Sequence, residues 1–232
     1  MCRAAERAPP RSDVPCDVNA DPVREKRAAA RAAAALAEDG MTVGLGTGTT
    51  VAELIPALGA RRLAITCVAT SPASEELARA CGLDVRPFTD IDRLDLAIDG
   101  ADQVDRVGWL VKGGGGAQTR ERIVAAAADR FVVIVSSDKL VERLHPPVPL
   151  ELLAFGAAAT LRALPGAVLR ASPPTPDAGL LDDYLGDIGD PATLAAALSA
   201  TPGVVSHGLF PPSLVSTVLV AHGDEVTARA VD

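Results

Sequence analysis

Asp99, Asp102, Lys112 and Glu121 fall close together in LDLAIDGADQVDRVGWLVKGGGGAQTRERIVAAA, the stretch from Leu94 to Ala127. A carboxylate in a dry pocket holds its proton more tightly, and a neighbouring cation or helix N-terminus loosens it again. A base so tuned, beside a lysine, suits proton transfer next to an anion. Leu94 to Ile98 reads as a short buried strand, which puts Asp99 and Asp102 at or just past its carboxyl end, where open α/β sheets place ligands. Lys112 leads into Gly113, Gly114, Gly115 and Gly116, a backbone that lets a ligand come close because nothing projects from it. Thr119 is placed to cap the next helix, with Glu121 in its first turn and Ile123 and Val124 turned to the core.

A second glycine-rich turn lies upstream. Met41 to Leu45 predicts a strand, and GLGTGTTVAELIPAL carries it into a helix. Gly44, Gly46 and Gly48 alternate with small residues, and Thr47, Thr49 and Thr50 bring hydroxyls to a helix N-terminus, whose N–H groups and positive end suit a phosphate. The spacing is neither GxGxxG nor GxxxxGK[ST], and by itself it equally describes a plain tight turn. Pro56 is expected to kink or shorten the helix that follows. A further polar cluster, Ser136, Ser137, Asp138 and Lys139, follows the apolar run Phe131 to Val135, which has the character of a buried parallel strand. Lysine is scarce: the chain has only Lys26, Lys112 and Lys139, so 19 of its 22 basic residues are arginine.

Several classes are disfavoured. A formal charge of -8 and a pI near 4.9 argue against nucleic acid as the main partner. No apolar run reaches the roughly 18 to 20 residues of a membrane span. Cys2, Cys16, Cys67 and Cys81 show no CxxC spacing and read as free thiols of a reducing cytoplasm. His145, His207 and His222 are scattered, so no metal is expected. A hydrophobic share of 48% supplies a core, and 3% aromatics make it an aliphatic, alanine-rich one.

The elements that must position these groups alternate. Residues 1–22 contain Pro9, Pro10, Pro15 and Pro22 and are expected to form a disordered extension without the apolar segment of an export signal. A helix opens near Val23 and stops at Gly40. Arg62 to Thr70 predicts a strand, SPASEELARACG a helix, and Leu83 to Pro87 a short strand. This strand–helix alternation, continuing to about Leu144, is the pattern of a doubly wound sheet. From His145 the texture changes to a helix near Ala154 to Leu164, a strand at Ala167 to Ala171, a proline-broken loop, another short strand and a helix from Pro191 to Ala200. Val204 to Phe210 and Val215 to Ala221 close the chain as strands. The division expected is a Rossmann-like, mostly parallel α/β catalytic domain (23–146 and 213–232) with a smaller α+β domain (147–212).

VGLGTGTT, TSPASEELA, DLAIDGADQVD, LVKGGGGAQTRERIVA, SSDK, PVPLE and PGVVSHGLF, in this order, resemble ribose-5-phosphate isomerases of the A type, from about Lys26 onward. The resemblance implies an aldose–ketose isomerase that interconverts D-ribose 5-phosphate and D-ribulose 5-phosphate through an enediolate, needs no cofactor, and assembles as a homodimer or homotetramer. It implies that Glu121 is the base, with Asp99, Asp102 and Lys112 beside it. Thr47, Gly48, Thr49 and Thr50 match the phosphate and substrate loop. By the same resemblance Gly100 and Ala101 of the DGAD motif bind substrate, Gly113, Gly114 and Gly115 line the same pocket, and Lys139 matches the family's second substrate-contacting lysine. Two departures stand out. Pro176, Asp177, Ala178, Gly179 and Leu180 replace a TDNGN-like turn, and Ser206 and His207 stand where the family has an acidic residue. Both are expected to affect packing and subunit contacts more than chemistry. The alternatives are a sugar-phosphate sensor that binds without turnover, and a nucleotide-binding dehydrogenase, for which the first glycine turn has the wrong spacing.

Overall fold

A computed structural model describes residues 21–89, 91–172 and 174–231. Of the disordered extension expected over residues 1–22, residues 1–20 lie outside the described residues, whereas Asp21 and Pro22 belong to the start of a helix. Asp21 caps the first helix, α1 (Pro22–Ala34), by accepting from the N–H groups of Val23 and Arg24, and Pro22 occupies a first-turn position that needs no donor. Its alanine stripe, Ala28, Ala29, Ala30, Ala33 and Ala34, is buried, and small side chains there let the helix lie close on the sheet. The chain then alternates through β1 (Thr42–Leu45), α2 (Thr49–Ala60), β2 (Thr66–Ala69), α3 (Pro72–Ala80), β3 (Asp84–Val85) and β4 (Leu96–Asp99). After a small hairpin, β5 (Gln103–Val104) and β6 (Leu110–Val111), come α4 (Gln118–Ala126) and β7 (Phe131–Ser136). Next are β8 (Val148–Leu152), α5 (Ala157–Ala163), β9 (Ala167–Leu169), β10 (Leu180–Tyr184), α6 (Pro191–Ala200), β11 (Val204–His207), β12 (Leu209–Phe210), β13 (Thr217–His222) and β14 (Glu225–Ala230).

The central sheet runs β14-β13-β7-β4-β1-β2-β3, parallel throughout except for β14. From β1 the chain winds one way to β2 and β3, and the other way to β4, β7 and β13. The switch point is therefore the crevice outside the ends of β1 and β4, where such sheets bind ligands. An antiparallel sheet, β11-β8-β10-β9, and a three-stranded one, β12-β6-β5, complete the fold. Val43, Leu45, Leu96, Ile98, Val132 and Ile134 fill the core on one side of the central sheet, against the helices there.

Several elements differ from expectation. Pro56 does not shorten α2, which runs through it; Pro56 lies on the exposed side, where the missing N–H leaves no buried carbonyl stranded. The single strand expected over Val204 to Phe210 divides at Gly208 into β11, paired with β8, and β12, paired with β6. A Cβ on Gly208 would sit 2.1 Å from the Lys112 carbonyl oxygen, so only glycine permits this crossing. Strand β14 was not anticipated because it is an edge strand, mostly exposed, without alternating apolar residues. Ile123 is 54% exposed rather than turned to the core, whereas Val124 is buried.

Candidate active site

Both glycine turns and the DGAD segment converge on the switch point. Strand β1 ends at Leu45, and Gly46 lies against the Asp99 carboxyl group: a Cβ there would stand 1.9 Å from it. That contact lets the Thr47 and Gly100 N–H groups donate to Asp99 Oδ1 at 3.1 and 2.7 Å. Gly48, with φ +123°, starts α2 with no side-chain cap, so the first N–H groups of the helix are left for an anion. The TSPASEELA segment supports this turn: Thr70 Oγ1 is 2.7 Å from Thr47 Oγ1, and Ser74 Oγ donates to the Gly46 carbonyl at 2.7 Å.

Three ionisable groups meet at the base of the cavity. Lys112 Nζ lies 2.8 Å from Asp99 Oδ2 and 3.2 Å from Glu121 Oε2, and donates to the Gly100 carbonyl. Its side chain is 2% exposed, and those of Asp99 and Glu121 are 4% exposed. Burial alone would lower the Lys112 ammonium, but Asp99 and Glu121 outweigh it and hold its pKa above the ordinary value, so it stays charged. Burial raises both carboxyl groups. Glu121 is pushed up to about 8, with Asp99 adding to the rise and Lys112 opposing it. Asp99 is held by Thr47, Gly100 and Lys112, whereas Glu121 Oε2 faces Lys112 with no aligned hydrogen bond. Two buried carboxyls thus share one ammonium, and burial favours keeping a proton on the pair.

Asp102 accepts from Gly114 N–H at 2.8 Å, joining the DGAD turn to the tetraglycine loop. Thr47, Gly48, Thr49, Thr50, Gly100, Ala101, Asp102, Lys112, Gly113, Gly114, Gly115, Glu121 and Lys139 all line one cavity of about 140 Å³. Asp99 lies against Lys112 at its base. Thr119 does not cap α4, whose N-terminus has no side-chain cap; its hydroxyl donates instead to Glu151 on β8.

Sequence reasoning missed Lys26, which lines the same cavity from α1. Its neighbour Glu25, 3% exposed, accepts from the backbone and hydroxyl of Ser137 at 2.8 and 2.9 Å and from Gly223 N–H at 3.1 Å. These bonds fasten α1 against the turn carrying Lys139. All three lysines of the chain therefore line one cavity, and their rarity was the available signal.

The two departures also lie nearer the site than expected. Asp177 pairs with Arg120 at 2.7 Å, and His207 lies against Arg122, so both contact the helix turn that carries Glu121.

A raised carboxyl beside a fixed ammonium has the chemistry to move a proton between neighbouring carbons, and an open helix end with two further lysines suits an anionic sugar. The class this defines is a sugar-phosphate isomerase. The family model described as ribose 5-phosphate isomerase A (phosphoriboisomerase A) matches residues 66–225. A ribose-5-phosphate isomerase A of Rhodopseudomonas palustris (strain TIE-1) is 44% identical over 222 residues, covering 87% of this chain and 95% of its own length. The solved ribose 5-phosphate isomerase A of Methanocaldococcus jannaschii is 34% identical with a TM-score of 0.83, covering 88% of this chain and 97% of its own. A D-ribose-5-phosphate isomerase solved in complex with phospho-erythronic acid is 31% identical with a TM-score of 0.85, covering 91% and 100%. The chain belongs to the ribose 5-phosphate isomerase A family. It is an aldose–ketose isomerase of the Rossmann-like α/β type.

Proposed function

We propose that Glu121 is the base that carries the proton between C2 and C1 of D-ribose 5-phosphate in its ring-opened form. The carboxylate takes the C2 proton, the C–H electrons form the C1–C2 double bond, and the aldehyde oxygen becomes an enediolate oxygen. Lys112 stabilises that charge. Glu121 then returns the proton to C1, which takes up the C1–C2 double-bond electrons, while the C2 hydroxyl proton passes to the C1 oxygen and leaves the C2 ketone of D-ribulose 5-phosphate. Asp102 handles ring opening and the exchange of protons between the oxygens, because it lines the cavity, whereas Asp99 is committed to three donors and serves to hold Lys112. The phosphate is bound by the Thr47–Thr50 turn with Lys26 and Lys139, and binding energy there lowers the barrier at the distant carbons. The observation that carries this reading is the contact of Glu121 with Lys112 at 3.2 Å, buried and facing one cavity. The solved relative's ligand, phospho-erythronic acid, is a phosphorylated acid consistent with the same pocket chemistry.

Glu121→Gln tests it. Substrate binding should survive, and formation of ketose should fall by about 10³-fold or more, toward the upper end of what acid–base catalysis contributes. Turnover at the parent rate would remove Glu121 from the role.

We further read residues 147–212 as a small domain, supported by the β11-β8-β10-β9 sheet within that range. Phe155 is 93% exposed, and Leu153, Val168, Leu169, Leu185 and Val205 are also exposed, which favours a homodimer or homotetramer joined through this region. Cytoplasmic residence accords with the free thiols of Cys67 and Cys81. Among the described residues, no helix is long and apolar enough to cross a membrane.

A further inference from the structure

Arg122 follows the proposed base directly, yet it points away from the cavity and, among the described residues, no carboxylate pairs with it. Its Nη2 donates to the carbonyls of His207 and Leu209 at 2.6 and 2.7 Å, and its guanidinium carbon lies 4.3 Å from the centroid of the Phe210 ring. Burial lowers it to about 10, still charged at neutral pH. A cation held by two carbonyl dipoles and a ring face brings no additional anion next to Glu121, which a carboxylate partner would do.

The segment that Arg122 grips is also the one that holds Lys112. Between the two carbonyls lies Gly208, whose own carbonyl accepts from Lys112 N–H at 2.9 Å and whose N–H donates to Pro149 at 2.7 Å. Leu209 and Phe210 pair with Val111 and Leu110, the residues just before Lys112. The Phe210 centroid is 5.6 Å from Lys112 Nζ. A single guanidinium thus joins the helix carrying Glu121 to the strand that fixes the main chain of Lys112. Those two elements share no backbone hydrogen-bond ladder, so their separation depends on side-chain contacts of this kind.

We propose that Arg122 is a positioning residue: clamped on the His207 and Leu209 carbonyls and stacked on Phe210, it sets the separation of Glu121 from Lys112 and so the rate of proton transfer. This rests on Glu121 being the base. Arginine's planar fork spans two carbonyls, whereas a lysine ammonium has no such fork.

The test measures kcat and KM for ribose 5-phosphate on full-length Arg122→Met, Arg122→Lys and Phe210→Leu, with folding followed by circular dichroism. Displacement of a reacting group by about 1 Å can cost about 100-fold. Arg122→Met is therefore expected to lower kcat about 10- to 100-fold with KM within about threefold, and Arg122→Lys to recover part of the loss. If Arg122→Met yields no folded protein, Phe210→Leu decides: a fall in kcat of about fivefold or more at near-constant KM supports the clamp. Parental kcat in folded Arg122→Met, or in Phe210→Leu when it decides, overturns it, as does a raised KM with kcat unchanged. The two readings separate cleanly: an inactive Glu121→Gln beside a fully active Arg122→Met refutes only the clamp, whereas an active Glu121→Gln refutes the base itself.

Discussion

Replacing Lys112 by methionine removes the one cation that two buried carboxyl groups share. The side chains are nearly isosteric, so the change is one of charge more than of volume. In the parent, the ammonium lies 2.8 Å from Asp99 and 3.2 Å from Glu121, all three side chains at most 4% exposed. Breaking a buried ion pair by deleting one partner costs about 3–5 kcal/mol when the remaining charge has no other partner. Asp99 retains the N–H donors of Thr47 and Gly100, so the lower end, about 3 kcal/mol, is the reasonable expectation. The cost should depend on pH. Both carboxyls are already raised by burial, and without Lys112 they rise further. In the window above their unfolded values and below their folded ones, the folded variant binds more protons than the unfolded polypeptide, so its stability falls as pH rises. Urea unfolding of parent and Lys112→Met at about pH 5.5 and 8.5 should therefore show a gap that widens at the higher pH. Turnover should fall about 10²- to 10³-fold, the loss typical of removing one oxyanion donor. An equal stability gap at both pH values, or a kcat within tenfold of the parent, would refute the reasoning.

Other outcomes follow from the same geometry. With Glu121 pushed up to about 8, kcat/KM should climb with pH through the neutral range and level off above about 8; a limb near the ordinary value of 4.5 would show that the base is not so buried. Lys26→Ala and Lys139→Ala should each lower kcat/KM about tenfold or more, as loss of a charge-assisted hydrogen bond of about 1.5–3 kcal/mol predicts, and should weaken inhibition by inorganic phosphate in parallel. Values within twofold of the parent would place the phosphate elsewhere. Light scattering of the purified protein should give a dimer or tetramer mass, and a monomer at micromolar concentration would remove the assembly reading.

Sequence alone determined what is local. A strand end followed by acidic residues, a run of glycines and a helix start are each written in a few consecutive positions. The backbone rule that reads them, the positive φ taken up at Gly48 and Gly113, acts over the same short range. That is why Asp99, Asp102, Lys112 and Glu121 were legible, and why the alternation of strands and helices implied a parallel sheet. What the tertiary structure decided involves residues far apart in the chain. Lys26 reaches the cavity because Glu25 bonds Ser137 and Gly223, and no periodicity in the first helix records those partners. The stretch Val204 to Phe210 reads as a single strand, but whether it is one strand or two depends on the Lys112 carbonyl that Gly208 must pass. Likewise Thr119 carries a good capping residue's chemistry, yet Glu151 on a different sheet takes its hydroxyl. Hydrogen-bonding side chains choose among partners by proximity in the folded state, and sequence spacing predicts that proximity only over a turn or two.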